Sequence, residues 1–296
     1  MKIYINRDEV DFTLENENTL GQVFISLEKW LTSNGFSVSE LFLDEQEISV
    51  TDRTEWQDKP LTGHDSMNII ALTLPELKLQ NLNTLITYCR MIQKSLKEGN
   101  LSLLKELMDE YDYIENSYEV LLDDQSHSIT DHMKNLLAVN GFRPAGERSE
   151  ENVKSVLEGF IMLEAVIQGR AEEITDPARA GRDTYQAIQS LLPSMEEVSL
   201  MLQTGKDRDA MDVIIRFSEL FQRLLRIFTY LPEKDRAVHS NDLKKYISEM
   251  SGILKELAEA FATEDSVLMG DLMEYEIMPR MENFPRFFES LINKGD

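Results

Sequence analysis

The chain has a single cysteine, Cys89, in 296 residues. One thiol cannot form an intramolecular disulfide or a multi-thiolate zinc site. No apolar run approaches the eighteen or so residues that cross a bilayer, which excludes a helical membrane span. The first twenty residues carry acids throughout and do not read as a signal peptide, so a cytoplasmic location is expected. Basic residues are scarce: 30 Lys and Arg stand against 54 Asp and Glu, a formal charge of −24. Such a surface repels phosphate backbones and anionic lipid, so neither nucleic acid nor membrane insertion is expected. It suits solubility, or a protein partner with a basic surface.

Sequence signatures of chemistry are also missing. Neither G-x-G-x-x-G nor G-x-x-x-x-G-K-[ST] occurs, which removes the usual dinucleotide and phosphate loops. The histidines are His64, His127, His132 and His239, none of them three residues after a glutamate. The Glu-x-x-His pairs of di-metal bundles are therefore absent. His127 and His132 lie near Asp123, Asp124 and Asp131, but five residues apart they fit no zinc spacing, and a solvated loop is expected. No cofactor and no metal is expected.

What is present begins with alternation. Ile3 and Ile5, then Val10, Phe12 and Leu14, alternate on either side of the polar Asn6–Glu9, which predicts a hairpin. Thr19 and Gln22 have capping-box spacing. Leu20, Val23, Leu27, Trp30 and Leu31 then recur at helical intervals up to Asn34-Gly35. A second hairpin pairs Leu41 and Leu43 with Ile48 and Val50. After a polar stretch with Trp56 and Pro60, residues 67–74 form a last strand.

Two strands, a helix and three strands within about 75 residues resemble the ubiquitin-like β-grasp fold. That resemblance implies a docking or scaffolding module. The last strand runs into LPELKLQNL and not a free diglycine, so conjugation chemistry is not expected. The segment holds fourteen acids against five bases, so it offers no basic patch.

From Pro75 the pattern is helical, and the expected fold class is α+β: residues 1–75 as a β-grasp domain, 76–296 as a mostly antiparallel bundle of about seven helices. Helical hairpins turn near 99, 205 and 264. The polar stretch 125–150, with a short helix at 130–139, reads as a connector that could subdivide the bundle. The helix through 208–229 is apolar round most of its girth and should be central. Its polar strip, with Arg208, Asp212, Arg216, Glu219, Arg223 and Arg226, reads as an ion-paired solvent face or as an anion site.

Two acids sit on inner faces. Glu164 lies among Leu157, Phe160 and Ile167, with Gln168 one turn on. Glu276 lies between two apolar sectors, and Arg280, four residues on, can pair with it. Glu164, Gln168, Glu276 and Arg280 are the candidate buried polar cluster. Pro279 should kink the last helix, since it has no amide to give to the Tyr275 carbonyl. A straight helical plot puts Met278 and Met281 on the wet side, as candidate partner contacts.

The segment GDLMEYEIMPRM resembles bacterial helical proteins that read D-L-x-E-Y-E-x-x-P in their last helix and are associated with motility gene neighbourhoods. The resemblance implies no activity. The function expected is a non-catalytic adaptor, scaffold or chaperone-like protein, with self-association through an exposed helix face conceivable. The contrary class is an enzyme or small-molecule sensor with its pocket near Glu164, Glu276 and Arg280.

Overall fold

The computed structural model describes residues 1–12, 17–124, 126–231, 240–282 and 284–285. Leu14, assigned to the second strand, and His239 lie outside the described residues. The fold is α+β: an N-terminal five-stranded mixed sheet followed by helices. The chain divides into two compact units, Met1–Ala171 and Glu172–Asp296.

The first unit opens with β1 (Lys2–Ile5), β2 (Asp8–Val10), helix α1 (Leu20–Ser33), β3 (Phe36–Leu43), β4 (Gln46–Ile48) and β5 (Ser66–Thr73). The strand order is β2-β1-β5-β3-β4. Only the central β1–β5 pair is parallel, with Ile3 opposite Met67; β3 runs antiparallel to β5, with Leu41 opposite Ile69. Both hairpins turn on two residues with positive φ, Asn6-Arg7 and Asp44-Glu45, the handedness that suits the twist of paired strands. Asp44 also braces the turn before β5, its carboxylate accepting the amides of Asp65 at 2.8 Å and Ser66 at 2.9 Å.

Alternation sends Ile3, Leu41, Leu43, Met67, Ile69 and Ala71 to one face, where they meet Leu20, Val23, Phe24, Leu27 and Leu31 of α1. Each of these side chains except Ala71 contributes about 1.5–3 kcal/mol on burial. Thr19 and Gln22 form the expected capping box. Two aromatics exchange the roles their positions suggest. Trp30, in step with the α1 core residues, is 52% exposed. Trp56, from the polar stretch, is buried edge-on against Phe24, with its indole N–H on the Ser49 carbonyl at 2.9 Å.

Thr73 ends the sheet and caps α2 (Leu74–Glu98), with Glu76 completing the box and Pro75 in the first turn. Gly99 closes α2 in the left-handed region, at the expected turn. The helix expected after it is broken into α3 (Leu101–Asp109), α4 (Tyr111–Glu115) and α5 (Tyr118–Leu121). The stretch expected as a connector carries α6 (Ser128–Val139), and α7 (Glu150–Thr175) follows. Asp124 is buried, not solvated: its carboxylate caps α6, accepting the amides of Ile129 and Thr130 and the hydroxyls of Ser128 and Thr130.

The second unit holds α8 (Pro177–Glu196), α9 (Val198–Gln203), α10 (Asp207–Tyr230), α11 (Ser240–Ala262) and α12 (Ser266–Asp271). The expected turns fall on Gly205 and Glu264, both left-handed. Helix α8 starts at the Asp176 cap, whose side chain accepts the Arg179 amide, with Pro177 in its first turn. Helix α10 is not covered round most of its girth: it buries one stripe, Ile214, Phe217, Phe221, Leu224 and Phe228, in a core shared with Met250, Met269, Met273 and Ile277, while Ile215 is 43% exposed.

Candidate functional site

The last helix decides where the second unit can offer a site. After α12 the backbone widens into a π-turn, Leu272–Ile277, in which the Met278 amide reaches the Met273 carbonyl five residues back. Ordinary helical residues resume from Met278 and run through Pro279. Pro279 lacks an amide and its ring crowds the carbonyl four residues back. The departure from α geometry comes just before the proline, as an extra residue in one turn. Such π-bulges recur at functional sites.

The bulge changes which side chains face out. One inserted residue rotates everything after it by about 100° relative to a 3.6-residue plot. Met281, placed on the wet side by that plot, is 2% exposed and packs in the core; Met278 is half-buried against the same core. Met281 is therefore not an exposed partner contact. Tyr275, within the π-turn, is 64% exposed. Its phenol is held above its usual pKa by the hydrogen bond and charge of Glu274.

Glu276 and Arg280 pair, but not as the buried cluster expected: their side chains are 46% and 30% exposed. Arg280 Nη1 donates to Glu276 Oε2 at 2.7 Å and to the Glu276 carbonyl at 2.8 Å, while Glu249 lies 3.9 Å from its Nε. The carbonyl of Arg280 accepts the Tyr246 hydroxyl at 3.3 Å, tying the segment to α11. In the first unit, Glu164 accepts from Gln168 at 2.9 Å, from Arg90 at 2.8 Å and from Gln93 at 2.6 Å. The two halves of the candidate cluster are thus each satisfied by neighbours of their own unit. The Cys89 thiol is pushed up to about 12, by burial first and then by Glu164, so it stays protonated.

Sequence reasoning also missed where the α10 arginines go. The buried carboxylate of Glu173 lies 3.2 Å from Arg226 Nε and 3.3 Å from Arg223 Nε. The anion these two arginines hold is the chain's own. The strip is in part an internal clamp, which only tertiary packing reveals. Among the described residues, no group of three or more His, Cys, Asp or Glu is placed to hold a metal ion. Among them, too, no helix is long and apolar enough to cross a membrane.

The second unit does carry a surface groove of about 370 Å³ between α9 and the π-turn. Met195, Leu200 and Met278 give it apolar walls, and Glu196 and Glu274 give it charge. Gly270 of α12 faces Ser199 and Leu202 of α9 at ordinary contact distance; a β-carbon at 270 would sit 3.5 Å from the Ser199 hydroxyl. Leu200 is 60% exposed, and Val267 and Tyr275 on the adjoining elements are exposed as well.

This groove lies inside the stretch that matches a described family. Residues 181–286 match a domain of unknown function, DUF8042. Residues 1–73, the sheet and α1, match the TP0873 N-terminal domain. A protein of Treponema pallidum (strain Nichols), described as uncharacterized, is 30% identical over 102 residues, 33% of this chain and 51% of that protein. The chain thus spans about half the length of this curated relative. No solved structure matches.

The groove residues were legible only in part. Met278 was a candidate contact from the sequence, but Leu200 and Glu196 sit nearly 80 residues earlier and join it and Glu274 only through the packing of α9 on α12 and the π-turn.

Proposed function

We propose that this is a non-catalytic adaptor or scaffold protein that docks a basic, amphipathic helix of a protein partner on the α9/π-turn groove. The observation that carries the reading is the groove itself: exposed Leu200 and half-buried Met278 beside Glu196 and Glu274. Apolar anchors at helical spacing would enter between the two elements, and basic residues would meet the acids. The conspicuous carboxylates support a structural use. Glu164, Glu173 and Glu276 are each engaged by arginine, or by arginine and amide groups.

The strand order of the sheet supports the ubiquitin-like β-grasp reading of residues 1–75, which makes that domain a second docking module within the same adaptor. The likeness at GDLMEYEIMPRM would place the partner in a bacterial, motility-linked setting, and the net charge of −24 favours a basic one.

The test is photo-crosslinking from the groove in native lysate. A benzoylphenylalanine at position 200 or 275 should capture a partner through a Lys- or Arg-rich segment, and the same group at Met162, exposed in the first unit, should not. Capture with equal yield from all three positions would refute the groove. A metal, nucleotide or metabolite that raises the melting temperature, with the effect abolished by Glu276→Ala but not by Glu274→Ala, would replace the adaptor with a sensor or enzyme.

A further inference from the structure

A second opening lies in the first unit. A cleft of about 1230 Å³ opens between the end of α2, α3, the start of α4, α6 and the segment 142–148. Its floor is apolar, built on Leu104, Met108, Leu137 and Phe142, all buried. Its walls reverse the charge balance of the protein. Across the chain 30 basic residues face 54 acidic ones, yet the cleft is lined by Lys105, Lys134, Arg143 and Arg148 against Asp109, Asp112 and Glu115.

Two of these cations are committed to acids of the cleft. Arg143 Nη2 donates to Asp112 at 2.8 Å while its guanidinium lies over the Tyr111 ring, and Lys134 sits 3.3 Å from Glu115. The other two are not. Arg148 is positioned without a carboxylate: its guanidinium stacks 4.4 Å over Phe142, and its Nε donates to the Gly141 carbonyl at 3.0 Å. Lys105 is exposed, and among the described residues neither it nor Arg148 forms an ion pair. A stacked arginine keeps its outer N–H donors directed for a carboxylate.

We infer that this cleft is a second binding site, of opposite preference to the groove in the second unit, that takes an acidic peptide segment of a protein partner. Apolar side chains of the segment cover the Leu104–Phe142 floor, and its carboxylates meet Arg148 and Lys105. The cleft is open, and its volume exceeds the roughly 300–1,000 Å³ of pockets that enclose small ligands, which favours a peptide over an enclosed metabolite. The α6 cap at Asp124 and the Arg148–Phe142 stack hold the walls in place before binding, which lowers the ordering cost of association. The inference stands apart from the groove, since it uses different residues in a different unit.

The test is a selection of random twelve-residue displayed peptides on the full chain, followed by affinity measurements on Lys105→Glu and Arg148→Ala. Lys105 is exposed, so its replacement leaves the fold intact. Enriched peptides should include a class that combines Leu or Phe with Asp or Glu. That class should bind about tenfold more weakly to each variant, equivalent to one lost charge contact, and be indifferent to Leu200→Ala. A basic peptide class that responds to Leu200→Ala and not to Lys105→Glu would report on the groove alone. Absence of an acidic class, or an acidic class whose affinity is unchanged in both variants, would overturn the inference. So would displacement of every selected peptide from the cleft by dodecanoate without any acidic preference, which would assign the cleft to an anionic amphiphile.

Discussion

Asp124 offers the sharpest test of how the cleft is held. It is 4% exposed, and its carboxylate accepts the Thr130 amide at 3.0 Å, the Ile129 amide at 3.1 Å, and the Ser128 and Thr130 hydroxyls at 3.0 Å each. Losing a helix cap costs about 0.5–2 kcal/mol, and hydrogen bonds to a charged group about 1.5–3 kcal/mol each before partial replacement by water. Since α6 starts near the surface, where water can reach the freed amides, Asp124→Ala should cost about 2–3 kcal/mol. For a unit of this size that lowers the melting temperature by about 5–10 °C. Asp124→Asn should fall between, since the amide keeps an acceptor oxygen but no charge.

The pH dependence has a definite sign. Burial acts to raise the Asp124 pKa, but the Thr130 and Ile129 amides and the hydroxyls outweigh it and hold the carboxyl below its ordinary value. The fold therefore favours the ionised form. Its contribution is complete above the unfolded pKa of about 3.9 and is lost as pH falls through the lower folded value. Thermal melts from pH 7 down to pH 2 should show the wild type losing its advantage over Asp124→Asn only on the acid side of pH 4. Hydrogen exchange should show faster opening of the Ile129 and Thr130 amides in Asp124→Ala. A variant that melts with the wild type and protects both amides equally would refute the capping argument.

Three further outcomes follow from close contacts and burial. Gly21→Ala should destabilise the first unit by about 1–3 kcal/mol in urea unfolding, because the new β-carbon would lie 2.7 Å from the Gln57 carbonyl oxygen; an unchanged midpoint would mean that α1 does not dock so closely. Met281→Ala should cost about 2–5 kcal/mol and Tyr275→Ala less than about 0.5; the reverse order would remove the π-turn from the last helix. Cys89, buried with its thiol pushed up to about 12, should resist iodoacetamide at pH 8 and label stoichiometrically in urea by mass spectrometry; rapid labelling of the folded chain would contradict its burial.

The sequence by itself determined the elements whose signals are local. Strand alternation, the Thr19 cap and the polar turn at Asn6 are properties of a few adjacent residues, and so were legible; the Thr73–Glu76 box is as local, but the strand pattern through residue 74 hid it. The Glu276–Arg280 pair was legible too, set by a four-residue spacing on one helix. Tertiary structure decided the rest. Trp56 is buried because Phe24, 32 residues earlier, supplies a ring to receive it. Arg223 and Arg226 turn from solvent because Glu173, on another helix, is buried within their reach. Met281 faces the core because a single π-turn shifts the phase of the helix after it, which a plot assuming 3.6 residues per turn cannot register. The groove and the cleft depend on residues far apart in the chain, whose proximity is a consequence of packing and is encoded in no local pattern.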